Sequence, residues 1–319
     1  MSEYITKIRT DQGDKQIDYN ALANLPTTDT TLSVAGQAAD AKAVSTALDG
    51  MSTKFSNPNL LINSDFRNPI NQRGTSSLTT KDESWTKFYS IDRWYSQHGA
   101  TVEILDGYIK VYASATTTSG YFCQAFEDVL GSNKYTVAVN VKSVSGTANV
   151  YLKNTDGQQG TTLTEGINVL TATLPITSVE FQLLPGASVE LYWVKLESGN
   201  IATPFIPRLP AEELTLCLRY YQCIECRLIM NVLTTELAQG VYYFSTPMRS
   251  TPSWRTINNA TYYKFSDKTF VTPSSAVVHD MYINNKYAVI QIDKNAGDTF
   301  TAGNCISAVV TLTFDAEIY

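Results

Sequence analysis

Residues 101–112 read TVEILDGYIKVY, and no other stretch of the chain restricts the fold as strongly. Asp106-Gly107 lies between two alternating runs, the composition of a two-residue type I′ turn in a β-hairpin. Such a turn pairs Leu105 with Tyr108, Ile104 with Ile109, Glu103 with Lys110 and Val102 with Val111. Apolar side chains then oppose each other on one face, and an opposite-charge pair faces water on the other. A chain built around this hairpin needs an antiparallel sheet with one buried face.

The pattern continues from Asn59 onward. In residues 136–142, Val137, Val139 and Val141 fall on one face. Residues 179–183 and 188–196 flank Pro185-Gly186-Ala187. In the second of these runs Val189, Leu191 and Trp193 alternate with Tyr192, Val194 and Leu196, which predicts a central strand apolar on both faces. Near the C-terminus Val310, Leu312, Phe314, Ala316 and Ile318 share one face, and Thr311, Thr313, Asp315 and Glu317 the other, a half-solvated strand. Many short strands separated by turns predict a mainly β chain of sandwich or jelly-roll type. Composition agrees: there are 19 Tyr, 12 Phe and 4 Trp, and charged residues make up 17%, below the roughly 25% of ordinary soluble domains. At 319 residues and 43% hydrophobic content the chain has material for two or three cores. No sequence repeat of about 20–50 residues suggests a solenoid or propeller.

One helix interrupts the β pattern. Residues 33–48 read SVAGQAADAKAVSTAL, with Val34, Ala38, Ala41, Val44 and Leu48 in one apolar stripe. The stripe is narrow and its residues are mostly small. It either docks on the following domain or packs against copies of itself as the seam of a parallel homotrimer. The expected organisation is an N-terminal strand segment over 1–26, a helix and polar linker over 27–58, a jelly roll over 59–207 and a C-terminal β-sandwich over 208–319. The last boundary falls in the Pro-punctuated joint Thr203-Pro204-Phe205-Ile206-Pro207-Arg208-Leu209-Pro210, followed by a short helix over 211–218.

Charge and cysteine content narrow the function. The net charge is −6 and no Lys/Arg cluster occurs, so a phosphate-backbone partner is not expected. No apolar run approaches the roughly 20 residues that span a bilayer. The N-terminal residues carry no apolar signal core. The 5 cysteines are Cys123, Cys217, Cys223, Cys226 and Cys305, an odd count without framework spacing, so reduced thiols are expected. An adhesive-looking composition without an export signal fits a protein made in a host cytoplasm and released by lysis.

Several stretches resemble proteins of bacteriophage and prophage tails. TKIRTDQGDKQIDYNALANLP, with TDTTLSVAGQAADAKAVSTAL after it, resembles the N-terminal module of tail-fibre and baseplate-associated proteins. NLLINSDFRNPINQRG followed by YSIDRW resembles the start of a carbohydrate-binding-module-like jelly roll in such fibres. WVKLESGNIATPFIPRLPAEELTLCLRYYQ resembles its last strand and the joint to a C-terminal knob. YYFSTPMRSTPSW and FDAEIY resemble strands of that knob. The resemblance implies a trimeric virion component that faces the host, is held by other tail or baseplate proteins through residues 1–58, and binds a bacterial cell-surface glycan. A non-binding structural piece (collar, baseplate or fibre decoration) and a glycan-degrading tail spike stay open beside it. It also implies a structural calcium, for which Asp65 and Glu197 are the candidate ligands, although no EF-hand-like spacing is present.

Residues with catalytic patterning are scarce. His98 and His279 sit in no nucleophile or zinc pattern, and no HExxH, GxSxG, GxGxxG or Walker-type sequence occurs. Cys223-Ile224-Glu225-Cys226 has no second CxxC and no nearby His, so it reads as part of an apolar element. Asp82/Glu83 and Glu212/Glu213 are adjacent pairs, and adjacent side chains on a strand diverge, which does not suit two carboxyls facing each other across a glycosidic bond. No enzyme is expected. Aromatic side chains remain, because flat rings stack on the apolar faces of sugars. Trp254, after Pro252-Ser253, is the first candidate. Tyr242, Tyr243, Tyr262 and Tyr263 accompany it, and Trp85, Tyr89 and Tyr95 are candidates in the jelly roll, where Trp94 reads as core.

Overall fold

The Asp106-Gly107 hairpin forms in the expected register, with Leu105 opposite Tyr108 and Val102 opposite Val111. Its turn differs from expectation. Gly107 alone takes the left-handed region, at φ 80°, and Asp106 does not. A type I′ turn needs positive φ at both central residues; placing it on glycine alone avoids the cost of left-handed backbone at Asp106. The computed structural model describes residues 7–10, 13–16, 42–44, 46, 56–131, 133–154, 156–173, 175–256, 261–271, 278–294 and 298–318. The chain divides into two compact units, Met1–Ser56 and Asn57–Tyr319.

In the first unit β1 (Lys7–Thr10) and β2 (Gly13–Gln16) pair antiparallel. Residues 42–44 and 46 are helical, and Thr46 Oγ1 donates to the Lys42 carbonyl at 2.9 Å. Of the expected seam, Val44 is exposed; Val34, Ala38, Ala41 and Leu48 lie outside the described residues.

The second unit is antiparallel β throughout, apart from one helix. One six-stranded sheet runs β11 (Gln158–Thr162), β10 (Ala148–Lys153), β13 (Ile176–Leu183), β8 (Gly120–Leu130), β5 (Trp94–Gln97) and β4 (Phe88–Ile91). The other runs β12 (Gly166–Thr173), β9 (Lys134–Ser145), β14 (Ser188–Ser198), β7 (Tyr108–Ala113), β6 (Ala100–Leu105) and β3 (Ser77–Thr79). Their inner faces share one core, in which Trp94, Phe66, Phe122 and Phe181 meet Val137, Val139, Val141, Ile109 and Val111. Trp94 stacks on Phe122 with centroids 4.9 Å apart, and its indole N–H donates to the Asn63 carbonyl at 2.9 Å. It is core, as the sequence predicts.

β14 lies centrally between β9 and β7, but its faces are not those of strict alternation. Its pairing with β9 slips between Leu191 and Trp193, an extra residue of a β-bulge. The bulge returns Val194 and Leu196 to the face of Val189 and Leu191, and all four join the core. Trp193 is left half-buried outside it, stacked on Phe205 at 4.6 Å and 5°.

The helix α1 (Pro210–Leu218) follows the joint, with Pro at its N-terminus as the missing N–H there permits. The remaining strands form one antiparallel path: β19 (Thr269–Val271), β18 (Thr261–Lys264), β22 (Cys305–Asp315), β15 (Tyr221–Val232), β16 (Leu237–Tyr243), β21 (Tyr287–Asp293) and β20 (Val278–Ile283). β17 (Ser253–Thr256) is added beside β22. β15 pairs with β22 along its length but with β16 through Asn231 and Val232 alone. The sheet folds over at that corner. Its halves enclose a second core, with Met230, Ile306, Val310, Leu312 and Phe314 facing Ala238, Ile290 and Ile292.

The C-terminal strand departs from its expected pattern after Asp315. Ala316, Glu317 and Ile318 lie beyond β22, and Glu317 is buried rather than solvent-facing. Cys223 and Cys226, three apart on β15, project to opposite sides of it, so they cannot act together as a redox pair or half a zinc site. All five cysteines are free thiols.

Candidate functional site

The tip of the β4–β5 hairpin joins the two β lobes. Arg93 occupies it in the left-handed region at φ 73°. Its backbone N–H donates to Glu317 Oε1 at 3.0 Å, and its Nη1 to Glu317 Oε2 at 2.6 Å. Its Nη2 donates to the Ala125 carbonyl at 2.6 Å, and the guanidinium lies 3.7 Å from the Tyr220 ring centre. Beside it Arg73 reaches Asp92 (3.1 Å), Asp315 (3.5 Å) and Glu317 (3.6 Å), and covers the Tyr221 ring at 3.7 Å. Burial outweighs Arg73 and pushes the Asp92 carboxyl up to about 7. Apart from the Ala125 carbonyl, every group here belongs to a stretch quoted for the tail-protein resemblance. Arg73 is from the INQRG end of NLLINSDFRNPINQRG at 70–74, Asp92 and Arg93 from IDRW, Tyr220 and Tyr221 from RYYQ, and Asp315 and Glu317 from FDAEIY. Those stretches build a junction.

The junction opens into a cleft of about 540 Å³. Phe88 and Tyr89 line it from the jelly roll, Tyr221 and Trp254 from the C-terminal lobe, with Arg73, Lys87, Arg255 and Asp315 as the charged groups. Tyr89 and Trp254, both candidates from sequence, meet here because β4 and β17 border the same junction. Tyr89 is mostly buried; its hydroxyl donates to the Ile318 carbonyl at 2.6 Å, which fixes the ring as wall. Trp254 is half-buried against the second core. Aromatic faces, a few polar groups and this volume suit a saccharide.

The other candidates scatter. Trp85 is 59% exposed and stacks near His98 (4.3 Å) and Tyr121 (5.3 Å), away from the cleft lining. Tyr243 is 72% exposed beside Tyr287 on the far half of the folded sheet. Tyr242 lies parallel to Phe314 at 6.1 Å and packs on the core. Tyr263 lines a separate apolar groove with Phe265 and Phe270. Tyr95 and Tyr262 are corrected outright. Tyr95 is enclosed by Tyr89 and Cys123, and Tyr262 is buried with its hydroxyl on Asp298 at 2.6 Å, so neither offers a ring face to a ligand. Lys87, Phe88, Arg73, Arg255, Tyr221 and Asp315 were not foreseen. Lys87 and Phe88 adjoin predicted aromatics, but nothing local links them to residues 253–255.

The carboxylates implied for calcium do not fit it. Asp65 is held by Arg67 Nε at 2.7 Å and Nη2 at 2.8 Å. Buried Glu197 accepts from Thr203 N at 2.8 Å and Thr203 Oγ1 at 2.5 Å, with Lys195 Nζ at 3.3 Å. A calcium ion needs about six to eight oxygen ligands, and adjacent cations oppose it. Among the described residues no group of three or more His, Cys, Asp or Glu side chains could hold a metal. Three of the four adjacent carboxylates, Asp82, Glu83 and Glu213, are engaged within the protein, and neither pair lies on a strand. Glu213, on α1, accepts from the Asn63 N–H and from Arg208, while Asp82 and Glu83 sit in a turn and tie down residues 114–118.

No family model and no curated protein sequence matches the chain. Among solved structures, a family 29 carbohydrate-binding module aligns at 11% identity over 42% of this chain and 100% of its own, with a TM-score of 0.26. The tandem of two family 22 carbohydrate-binding modules of Paenibacillus barcinonensis Xyn10C aligns at 10% identity over 82% of this chain and 98% of its own, with a TM-score of 0.27. Discoidin II of Dictyostelium discoideum aligns at 11% identity over 66% of this chain and 80% of its own, with a TM-score of 0.21. At such scores the likeness assigns no ligand.

Proposed function

We propose that this chain is a receptor-binding component of a bacteriophage tail that attaches the virion to a bacterial cell-surface glycan through the junction cleft. The observation that carries the reading is the convergence of Trp254 and Tyr89, from opposite lobes, on one cleft furnished with charged groups. Attachment proceeds without catalysis. Among the described residues lining the cleft Asp315 is the one carboxylate, it is paired with Arg73, and glycoside hydrolysis needs two. Residues 1–58 hold the chain to other tail or baseplate proteins, and the chain works as a homotrimer in the virion. Self-association is supported by an exposed groove on the outer face of the C-terminal lobe, where Ile229, Phe265 and Phe270 stand in solvent.

The test is attachment of purified full-length protein to host cell walls and to a glycan array. Trp254→Ala is expected to weaken binding by on the order of 1 kcal/mol per site, amplified in a trimer. Full attachment by the variant overturns the cleft as the binding site. Sedimentation reads the oligomer separately, and a monomer at micromolar concentration refutes the trimer. The second reading, a structural virion element that binds nothing, is favoured by the use of the tail-like motifs in the junction. It is the outcome if wild-type protein binds neither walls nor array.

A further inference from the structure

The charges lining the cleft do not balance. Arg73 and Asp315 pair with each other, and Arg73 is further held by Asp92 and Glu317. Lys87 and Arg255 are left. Neither makes an ion pair among the described residues, whereas most cations nearby do, Arg73, Arg93 and Arg219 included. Lys87 Nζ is anchored, donating to the Ile318 carbonyl at 3.1 Å and lying 4.9 Å from the Tyr95 ring centre. Burial pushes its ammonium below the ordinary lysine range, and no carboxylate restores it. Arg255 is exposed, next to Trp254 on β17. A protein of net charge −6 thus places two cations that have no ionic partner among the described residues, one of them partly desolvated, around an aromatic cleft. Positive charge in a partly desolvated recess attracts anions more strongly than charge on an open surface.

We infer that the cleft selects an anionic saccharide, one in which a sugar ring seated against Trp254 carries or adjoins a carboxylate or phosphate held by Lys87 and Arg255. This rests on the reading of the cleft as the glycan site and names the class of glycan. A uronate polymer and a glycosylated polyol-phosphate polymer share that chemistry.

Calorimetric titration of the full-length protein separates the claims. The probes are an oligogalacturonate, the same oligomer as its neutral methyl ester, and a glucosylated poly(glycerol phosphate). At least one anionic probe is expected to bind about ten-fold tighter than the neutral ester at low salt, the combined effect of two modest ion pairs. The advantage should shrink as salt rises. Whichever anionic probe binds identifies the source of the charge. Lys87→Gln with Arg255→Gln should bring the ratio of anionic to neutral affinity near one, and Lys87→Arg with Arg255→Lys should keep it. A neutral ester that binds as well as the anions, a ratio unchanged in the glutamine variant, or no binding of any probe overturns the inference. Trp254→Ala distinguishes the underlying reading. Binding that persists in that variant removes the cleft from consideration, whatever the charge preference proves to be.

Discussion

Glu317→Ala should destabilise the second unit far more than an ordinary surface change near a C-terminus. Both carboxylate oxygens are engaged, by the Arg93 N–H at 3.0 Å and Nη1 at 2.6 Å, with side-chain exposure of 0% for Glu317 and 2% for Arg93. Removing the acid leaves a buried guanidinium without its counter-charge, a change that costs about 3–5 kcal/mol. Arg93 keeps the Ala125 carbonyl and the Tyr220 ring, which places the expectation at the lower end, about 3 kcal/mol. For a domain of roughly 150–250 residues that corresponds to a fall in melting temperature of about 6–12 °C. The left-handed turn at Arg93 adds to the effect, because Glu317 also holds its backbone N–H. Urea and thermal unfolding of wild type, Glu317→Ala, Arg93→Met and the Arg93→Met/Glu317→Met double variant form the experiment. The double variant should be less destabilised than the sum of the singles, since it leaves no charge unpaired. A cost below about 1 kcal/mol for Glu317→Ala would show that water reaches Arg93 and that the junction is not the buried contact described here.

Further outcomes are expected. Asp92 titrates near 7 when folded and near the ordinary carboxylate value when unfolded, so the folded state binds the extra proton between them and stability falls as pH rises from about 4 to about 7. Asp92→Asn should flatten that slope in thermal melts across this range, and an unchanged slope would assign it to other groups. Cys123 and Cys217 are fully buried, with burial pushing both thiols far up, so a disulfide-exchange reagent should leave them unmodified in native protein while reaching Cys305, Cys223 and Cys226 first; early labelling of Cys123 would contradict the fold. Phe205→Ala removes the parallel partner of Trp193 and should cost about 1–2 kcal/mol in urea unfolding with a red shift of tryptophan emission, whereas an unchanged spectrum would deny the stack.

Hairpin and sheet faces were legible because alternation and turn chemistry are local. TVEILDGYIKVY specified its own register, and Val137, Val139 and Val141 their own face, without reference to distant residues. Two local inferences failed for reasons alternation cannot carry. The bulge near Tyr192 shifts the phase of β14, and nothing in an unbroken apolar run marks where an extra residue is inserted. Glu317 looked solvated because it alternates with Ala316 and Ile318; its burial depends on Arg93 reaching it from the other lobe. The candidate cleft was half legible. Aromatic residue type singled out Trp254 and Tyr89, but the same criterion picked Tyr95 and Tyr262, whose rings are walled in by side chains from neighbouring strands. The cleft's cations carry no local signature at all, since Arg73 and Lys87 lie apart in the sequence of one lobe and Arg255 reaches the cleft from the other.

Because β4 and β17 supply opposite walls of the cleft, recognition under the proposed function would be inherited in two pieces. A recombination event that exchanges the C-terminal lobe renews the Trp254 and Arg255 wall and leaves Lys87, Phe88 and Tyr89 as they were. Such a hybrid is viable where the incoming lobe presents an acid to Arg93 and another to Arg73. The charged lock at the hairpin tip therefore acts as a compatibility filter on domain shuffling: it admits new walls with a matching acidic end and rejects the rest, while the cleft-lining side chains beside it are free to diversify.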